Sequence, residues 1–485
     1  MKKNIKKYIP WIVLLLIIIS LSTAYLLSRR VTQEQLLAYE SRITEAEKYL
    51  EAKQYSMSVS KFQEASEIIP RRVDAYEGII SILLLKNRVE DSEQVVRKSA
   101  TALGSYDRSL LYKMIGDKYY EQGQYQKASE MYENGLTLGV RNTALELKYG
   151  KVMLKKGEIS EAKKYLQRSG FTHEEQVEAN LILSYIYSTE DISKSKKFIK
   201  MIEPTSSFGI YYEEIKEILN DLDDDKKFNA SKLSRVYINQ GYPFLAITIL
   251  EPLNEEITEY LEGMYFLGRA YTEFGDYSEA IEILNSASTL GGMETEIFWL
   301  RARSYYMQKD LENTVRDYDN AIGYMGENVQ EELVEEYLNV LLEINQKLKA
   351  EEVVRNLAFN FSENAFVNMM AVKVNYKLEQ NAKVDYYLRE LEALELDKGI
   401  RKEYLEYKLL YLFDQNSFDM REVEKYMEEL FEIDRFNPYY YYFLANVQKE
   451  KGEVELAGQS LERSIEYDVN YEITKRSKEI LSSLR

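Results

Sequence analysis

The strongest constraint on the fold is a pattern that returns every thirty-four residues. In the stretch 261–292, small and apolar residues recur at helical spacing, a Gly-Asp-Tyr turn follows, and a second helical stripe comes after it. Two such stripes joined by a short Gly turn predict an antiparallel helix pair. Equivalent places one period apart hold related residues: Tyr237, Tyr271 and Tyr305; Ser234, Gly268 and Ala302; Ala246, Ala280 and Thr314. The period therefore predicts a stacked array of helix pairs.

The composition lacks the residues that most enzyme and metal sites need. The chain has no Cys and one His, His173, and it contains no nucleotide-binding, serine hydrolase or metalloprotease motif. We therefore predict no catalytic activity, no cofactor and no metal site. The length of 485 residues exceeds a single compact core, which agrees with a repeat array.

The net charge of −18 is unevenly distributed. Residues 1–30 contain six Lys or Arg and no acidic residue, so the rest of the chain has 57 basic and 81 acidic side chains, a charge of −24. Such a body is repelled by phosphate backbones. We therefore predict that nucleic acid is not a partner.

The N-terminus contains one long apolar run. Residues 8–27 carry no charge and are long enough for one helical crossing at about 1.5 Å per residue. We predict a short cytoplasmic tail at 1–7 and a transmembrane helix, retained as a signal anchor, at 8–28. Lys and Arg are denser before the run than after it, which favours a body outside the cytoplasm. The predicted localisation is a single-pass membrane protein with an extracytoplasmic body. A signal peptide cleaved near Ala24 stays open as an alternative.

The repeat resembles the tetratricopeptide repeat, on the strict units that begin at Lys227, Leu261 and Thr295 and on the last unit. That last unit opens at Pro438 and has Tyr441, Ala445, Gly452, Ala457 and Leu461 at its equivalent places. The resemblance implies an all-α fold, a right-handed α-solenoid of about eleven to twelve helix pairs, preceded here by one transmembrane helix. We expect repeat arrays at 31–203 and 227–470, a junction with one helix at 204–226, and a capping helix at 471–485.

The resemblance also implies where a ligand would bind. In this family the first helix of each repeat lines a concave groove, and ligand contacts come from its outward places. One such place holds Arg235, Arg269 and Arg303, and neighbouring groove places hold Tyr265, Trp299 and Tyr306. Arg suits carboxylate recognition and aromatic residues suit anchoring, so we predict a peptide-binding groove there, with an acidic peptide as a candidate ligand. In the alternative, each Arg is merely exposed or pairs with a Glu of the adjacent repeat.

These expectations combine into one predicted function. The chain is predicted to be a membrane-anchored scaffold, without catalysis, that binds another protein or an extended peptide outside the cytoplasmic membrane. The first alternative is a membrane-tethered docking receptor that faces the cytosol. The second is an envelope hydrolase, which the lack of catalytic motifs disfavours.

Overall fold

Every regular element that the structure describes is a helix, which confirms the predicted all-α class. The structure is a computed structural model, and it describes residues 31–170, 172–202, 209–415, 419–469 and 473–484. The predicted tail at 1–7 and the predicted transmembrane helix at 8–28 lie outside these residues. The right-handed sense of the array stays a prediction.

Successive helices form helix–turn–helix pairs along the chain. Up to residue 200 the pairs are α1 (Gln33–Glu51) with α2 (Tyr55–Ile68), α3 (Val73–Leu85) with α4 (Val89–Ser99), α5 (Ser105–Glu121) with α6 (Tyr125–Leu136), α7 (Thr143–Lys155) with α8 (Ile159–Leu166), and α9 (His173–Ser188) with α10 (Ile192–Lys200). The single helix α11 (Gly209–Asn220) lies in the segment predicted as a junction.

The pairs resume after α11. They are α12 (Lys226–Asn239) with α13 (Pro243–Leu250), α15 (Leu261–Phe274) with α16 (Tyr277–Ser288), α17 (Glu294–Met307) with α18 (Leu311–Tyr324), α19 (Glu331–Glu343) with α20 (Lys347–Asn360), α21 (Ala365–Lys377) with α22 (Asn381–Glu392), α23 (Lys398–Asp414) with α24 (Met420–Ile433), and α25 (Pro438–Glu450) with α26 (Val454–Tyr467). A 3-10 turn (Glu251–Leu253) and the short α14 (Asn254–Ile257) follow α13, and α27 (Thr474–Leu484) ends the described chain.

The helices group into two compact units, Met1–Leu111 and Tyr112–Arg485, so the division falls within α5. In the described part of the first unit, Tyr39, Ala65 and Ala75 form a buried cluster. A Cβ added at Gly78 would lie 2.5 Å from the Phe62 ring, so α3 can approach α2 only with glycine at this place.

In the second unit, small residues set the spacing within each pair. A Cβ added at Gly268 would lie 2.6 Å from Leu284 Cδ2. Ala280 and Ala287, on the opposing helix, are fully buried. Ala302 is fully buried at the place equivalent to Gly268 one period later. The small residues of the repeat are therefore where the two helices of a pair come closest.

Among the turns within pairs that the structure describes in full, all except that of α9–α10 contain one residue in the left-handed conformation. Gly275 has a φ of +107°, and the equivalent turn residues have positive φ whether or not they are glycine. The non-glycine members are Lys53 (φ 53°), Asn87 (φ 54°), Lys309 (φ 62°), Asn345 (φ 60°) and Glu379 (φ 57°). The backbone geometry of the turn thus persists where the Gly of the sequence pattern is lost, at the strain that a left-handed L-residue carries.

The predicted single-pass membrane localisation is corrected by the structure. Within the described residues, no helix is both long and apolar enough to cross a membrane. A crossing takes about 20 predominantly apolar residues. The longest described helix, α1, has 19 residues and carries charged side chains in each of its turns, because only one of its faces is packed against other helices.

Candidate peptide-binding surface

The first helices of consecutive pairs lie side by side in the second unit. From α12 onward, contacts join α12 to α15, α15 to α17, α19 to α21, α21 to α23, and α23 to α25. Each second helix packs against the first helix of its own pair and that of the next pair. The outward residues of α12, α15, α17, α19, α21, α23 and α25 therefore form one surface, called here the first-helix face.

Two of the predicted arginines make single, exposed ion pairs. On α12, Arg235 Nη2 lies 3.4 Å from Glu214 Oε1 of α11. On α15, Arg269 Nε donates to Glu273 Oε1 at 2.8 Å, one turn along the same helix. An i,i+4 pair of this kind stabilises a helix by only a few tenths of a kcal/mol. Arg269 is thus held loosely, by its own helix.

The third arginine is held much more firmly. Arg303 Nε donates to Glu336 Oε1 at 2.7 Å and to Oε2 at 2.9 Å, and its Nη2 donates to Glu332 at 3.2 Å. The guanidinium carbon lies 4.4 Å from the centre of the Trp299 ring. Burial lowers the pKa of Arg303, but the hydrogen bonds that Arg303 donates to Glu336 and Glu332, together with the charge of Glu336, outweigh burial and raise the pKa above its usual value. The guanidinium therefore joins α17 to α19.

The predicted aromatic residues lie in different environments. Tyr265 is 8% exposed and is packed beside Phe266, so it has little surface to offer a ligand. Tyr306 is bonded to Glu343 of α19, and that hydrogen bond raises its pKa. The Trp299 Nε1 atom is buried without a hydrogen-bond partner among the described residues.

The structure thus brings together part of the predicted site. Trp299, Arg303 and Tyr306 form one stripe of α17 that faces α19. Arg235 and Arg303 each pair with a Glu of a neighbouring helix, as in the alternative that the sequence left open. Arg269 pairs within α15 instead.

The first-helix face also contains a groove that the sequence pattern did not indicate. It has a volume of about 450 Å³ and crosses four consecutive first helices. Its lining is Glu335, Leu338, Asn339 and Leu342 of α19; Met370, Lys373, Val374 and Lys377 of α21; Glu403, Glu406 and Tyr407 of α23; and Tyr439 of α25. Ligand pockets typically measure about 300–1,000 Å³, so the groove is large enough for part of a peptide.

The groove combines an apolar floor with a charged rim. Leu338, Met370 and Val374 are buried beneath it. Lys373 Nζ pairs with Glu403 Oε2 at 2.8 Å across the rim. Lys377 is exposed, and within the described residues no ion pair is recorded for it. Apolar side chains of a ligand would find contact on the floor, and an acidic group would find a cation at Lys377.

The groove escaped the sequence analysis for a specific reason. The left-handed turn residues Gly275 and Lys309 are thirty-four residues apart, but the next one, Asn345, comes thirty-six residues after Lys309. The strict frame therefore loses phase just before α19, where the groove begins. Locating the turn residue of each pair first, and then counting back along the first helix, would have identified the outward positions of α19 and the later first helices.

Sequence reasoning also missed a buried ion pair between α17 and α18. Arg301 Nε donates to Asp317 Oδ2 at 2.5 Å and its Nη2 donates to Oδ1 at 3.0 Å, while its Nη1 donates to Asn285 Oδ1 at 2.8 Å. Arg301 is 8% exposed and Asp317 is fully buried. The period does indicate that Arg301 is buried, because Arg301 occupies the repeat position at which the two preceding repeats have the buried Leu233 and Leu267.

The described residues offer little for metal or acid–base chemistry. No group of three or more His, Asp or Glu side chains within them could hold a metal ion. The carboxylates on the first-helix face are instead engaged with Lys, Arg, Asn or Tyr of neighbouring helices. This arrangement suits recognition of polar groups.

Comparison with known proteins identifies two of the helix pairs. The tetratricopeptide repeat family model matches residues 261–290 and 438–470, which are α15–α16 and α25–α26 with the residues that follow them. No curated protein sequence matches the chain.

Solved structures resemble the chain over most of its length, at low similarity. Yeast Tom70 is 14% identical, with a TM-score of 0.36, over 92% of this chain and 95% of its own. The APC/C hetero-tetramer Cut9–Hcn1 is 11% identical, with a TM-score of 0.33, over 92% and 96%. The P58(IPK) TPR domain is 15% identical, with a TM-score of 0.21, over 92% and 98%. At these TM-scores the likeness carries no information about the site. The match that identifies the fold unit is the family model, and the chain carries tetratricopeptide repeats at α15–α16 and α25–α26.

Proposed function

We propose that this protein is a scaffold, without catalytic activity, that binds another protein through an extended segment laid along the first-helix face. The observation that carries the proposal is the groove across α19, α21, α23 and α25. The tetratricopeptide repeats support it, because repeat arrays present extended binding surfaces made from equivalent helices.

The groove favours an elongated ligand. Packed helices lie about 8–10 Å apart, so four first helices in a row span about 30 Å. An extended peptide covers about 3.3 Å per residue, so about nine residues would cross the groove. The preferred segment has apolar side chains for the floor at Leu338 and Met370, and an acidic group for Lys377.

The arginine row is a second, finer part of the proposal. Arg235, Arg269 and Arg303 lie on the same series of first helices, but each already has a carboxylate partner. Arg269 is the member that we propose contacts an acidic ligand, because its partners Glu273 and Tyr265 both lie on its own helix. Arg303 acts chiefly in joining α17 to α19, with Trp299 beneath it.

A capture experiment with paired charge reversals tests the proposal. The intact protein is used to capture partners, and each partner is then divided into overlapping peptides to find the bound segment. Lys377→Glu in the groove should weaken binding of that segment about tenfold, since it replaces an attractive charge by a repulsive one.

The matched control is Lys347→Glu at the start of α20, an exposed lysine on a second helix. It makes the same change of charge away from the groove and should leave binding unchanged. Equal effects of the two reversals would mean that only the net charge matters, and the groove assignment would be withdrawn.

A further inference from the structure

Lys155 is the last residue of α7, and its side-chain amine lies among three tyrosine rings. Its Nζ lies 5.4 Å from the ring centre of Tyr125, 5.4 Å from that of Tyr242 and 5.9 Å from that of Tyr120. Within the described chain, no carboxylate within ion-pair distance and no hydrogen-bond acceptor is recorded for this ammonium group. The rings of Tyr120, Tyr125 and Tyr242, called here the tyrosine cage, surround the amine. Their faces attract the charged amine, but this attraction is smaller than the cost of burying a charge without a counter-ion.

The tyrosine cage joins parts of the chain that are far apart in sequence. Tyr120 and Tyr125 come from α5 and α6, whereas Tyr242 comes from the turn between α12 and α13. In that turn Gly241 has a φ of +73°, and a Cβ added there would lie 2.3 Å from Lys155 Nζ. Contacts in a repeat array normally join only neighbouring repeats. Here the four helices α8 to α11 lie between α7 and the α12–α13 pair in the sequence, so the cage is a long-range contact.

A second contact supports this one. A Cβ added at Gly157, two residues after Lys155, would lie 3.1 Å from the Phe244 ring. Phe244 belongs to α13, so both sides of the α12–α13 turn lie against the C-terminal end of α7. These contacts leave the side chain of Lys155 half-buried, so its ammonium group is only partly open to water.

The charges that face Lys155 do not neutralise it. Lys151, one turn back on α7, opposes the charge and is itself paired with Glu178 of α9. Glu273 of α15 favours the charge from a greater distance. Burial outweighs both and lowers the pKa of Lys155 to about 8. Burial also raises the pKa of Tyr120 and of Tyr242, so these phenols stay neutral where Lys155 titrates.

We propose that Lys155 and the tyrosine cage form a pH-sensitive joint, which holds the α12–α13 turn against α5–α7 more tightly when the amine is neutral than when it is charged. When the joint opens, Lys155 returns to water and to its ordinary pKa of 10.5. Between about pH 8 and 10.5, the closed form therefore binds fewer protons than the open form. Closure is favoured as pH rises through this range.

Hydrogen exchange of the full chain at pH 7 and pH 9 tests the joint. After correction for the intrinsic rates, amides at 237–245 and 118–126 should open about tenfold less often at pH 9 than at pH 7, because one pH unit above the pKa changes the equilibrium about tenfold. Lys155→Arg keeps its charge at both values and should lose this difference. Lys155→Met carries no charge and should lose it too.

Two further measurements keep the test decisive if a variant folds poorly. Trace acylation of the protein across pH 6–11, read by mass spectrometry, compares the amine of Lys155 in the folded protein with the same amine in the denatured protein. In the folded protein, Lys155 should become reactive about two pH units earlier. A Lys155 amine that titrates at the same pH in both states, or a Lys155→Arg variant that keeps the full difference in exchange, would overturn the proposal.

Discussion

Arg303 Nε on α17 donates to both carboxylate oxygens of Glu336 on α19, at 2.7 and 2.9 Å, and Arg303 Nη2 donates to Glu336 Oε2 as well. Glu336 also accepts a hydrogen bond from the buried Tyr318 at 2.5 Å. One period earlier, Arg269 donates to Glu273 at 2.8 Å and contacts Tyr265, and both of these residues lie on its own helix. Two residues at equivalent positions in the repeat therefore have different partners: Arg303 joins two helices, whereas Arg269 contacts residues of its own helix only.

Arg303→Ala should destabilise the fold by about 1–3 kcal/mol, because it leaves the half-buried Glu336 without its cation. Arg269→Ala should cost less than about 0.5 kcal/mol, the usual range of an exposed pair within a helix. Urea denaturation of both variants measures the difference. We expect Arg269→Ala to weaken capture of the partner more than Arg303→Ala does. The opposite order would show that Arg269 is not part of the binding site.

Gly268→Leu should cost about 1–3 kcal/mol by overpacking, since even a Cβ at this place would lie 2.6 Å from Leu284. The loss should appear in hydrogen exchange first at 261–288, because a repeat array transmits strain through nearest neighbours. Gly323→Leu is the control, since a Cβ at Gly323 meets nothing within 4 Å. An equally large loss of stability in the control would mean that leucine destabilises any helix of this array, and that the close packing at Gly268 is not the cause.

Asp317→Asn should be among the most damaging single changes, at about 3–5 kcal/mol, because it leaves the Arg301 guanidinium buried without its counter-charge. Replacing the pair together, as Arg301→Met with Asp317→Leu, should restore part of that loss, since a buried ion pair contributes little net stability over apolar residues of similar size. A double-mutant cycle followed by thermal unfolding gives the coupling. A coupling near zero would show that the pair does not act as a unit.

Stability should fall in acid partly through Glu429. The hydrogen bond from Arg401, at 2.6 Å, lowers the pKa of Glu429 below its ordinary value of 4.5. The folded state therefore binds fewer protons than the unfolded state near pH 4, so this stabilisation is present above pH 4.5 and is lost as pH falls through the lowered pKa. Arg401→Gln should flatten this part of the acid titration. Melting temperatures between pH 3 and 7 for both proteins measure it, and parallel curves would contradict the prediction.

The sequence by itself determined the kind of unit from which the chain is built. Small residues such as Gly268 and Ala280 can recur at a fixed period only where two helices approach closely at each turn of the array, so periodicity alone predicts the helix pair. The buried Tyr237 and Tyr271 follow from the same pattern, because large rings fill the space opposite small residues.

Only the tertiary structure decided which outward residues are available to a ligand, because the partners of these residues come from other repeats. Arg303 occupies an outward position of its own helix. It links two helices only because it pairs with Glu336, which is thirty-three residues away. The groove depends on the lateral spacing of four helices. The spacing between turn residues increases from thirty-four to thirty-six just before α19, so the period does not predict which residues of α19 face outward. Lys155 contacts Tyr242 although the five helices α8 to α12 separate them in the sequence. Such contacts arise from the path of the array in space, which a pattern local to one repeat does not contain.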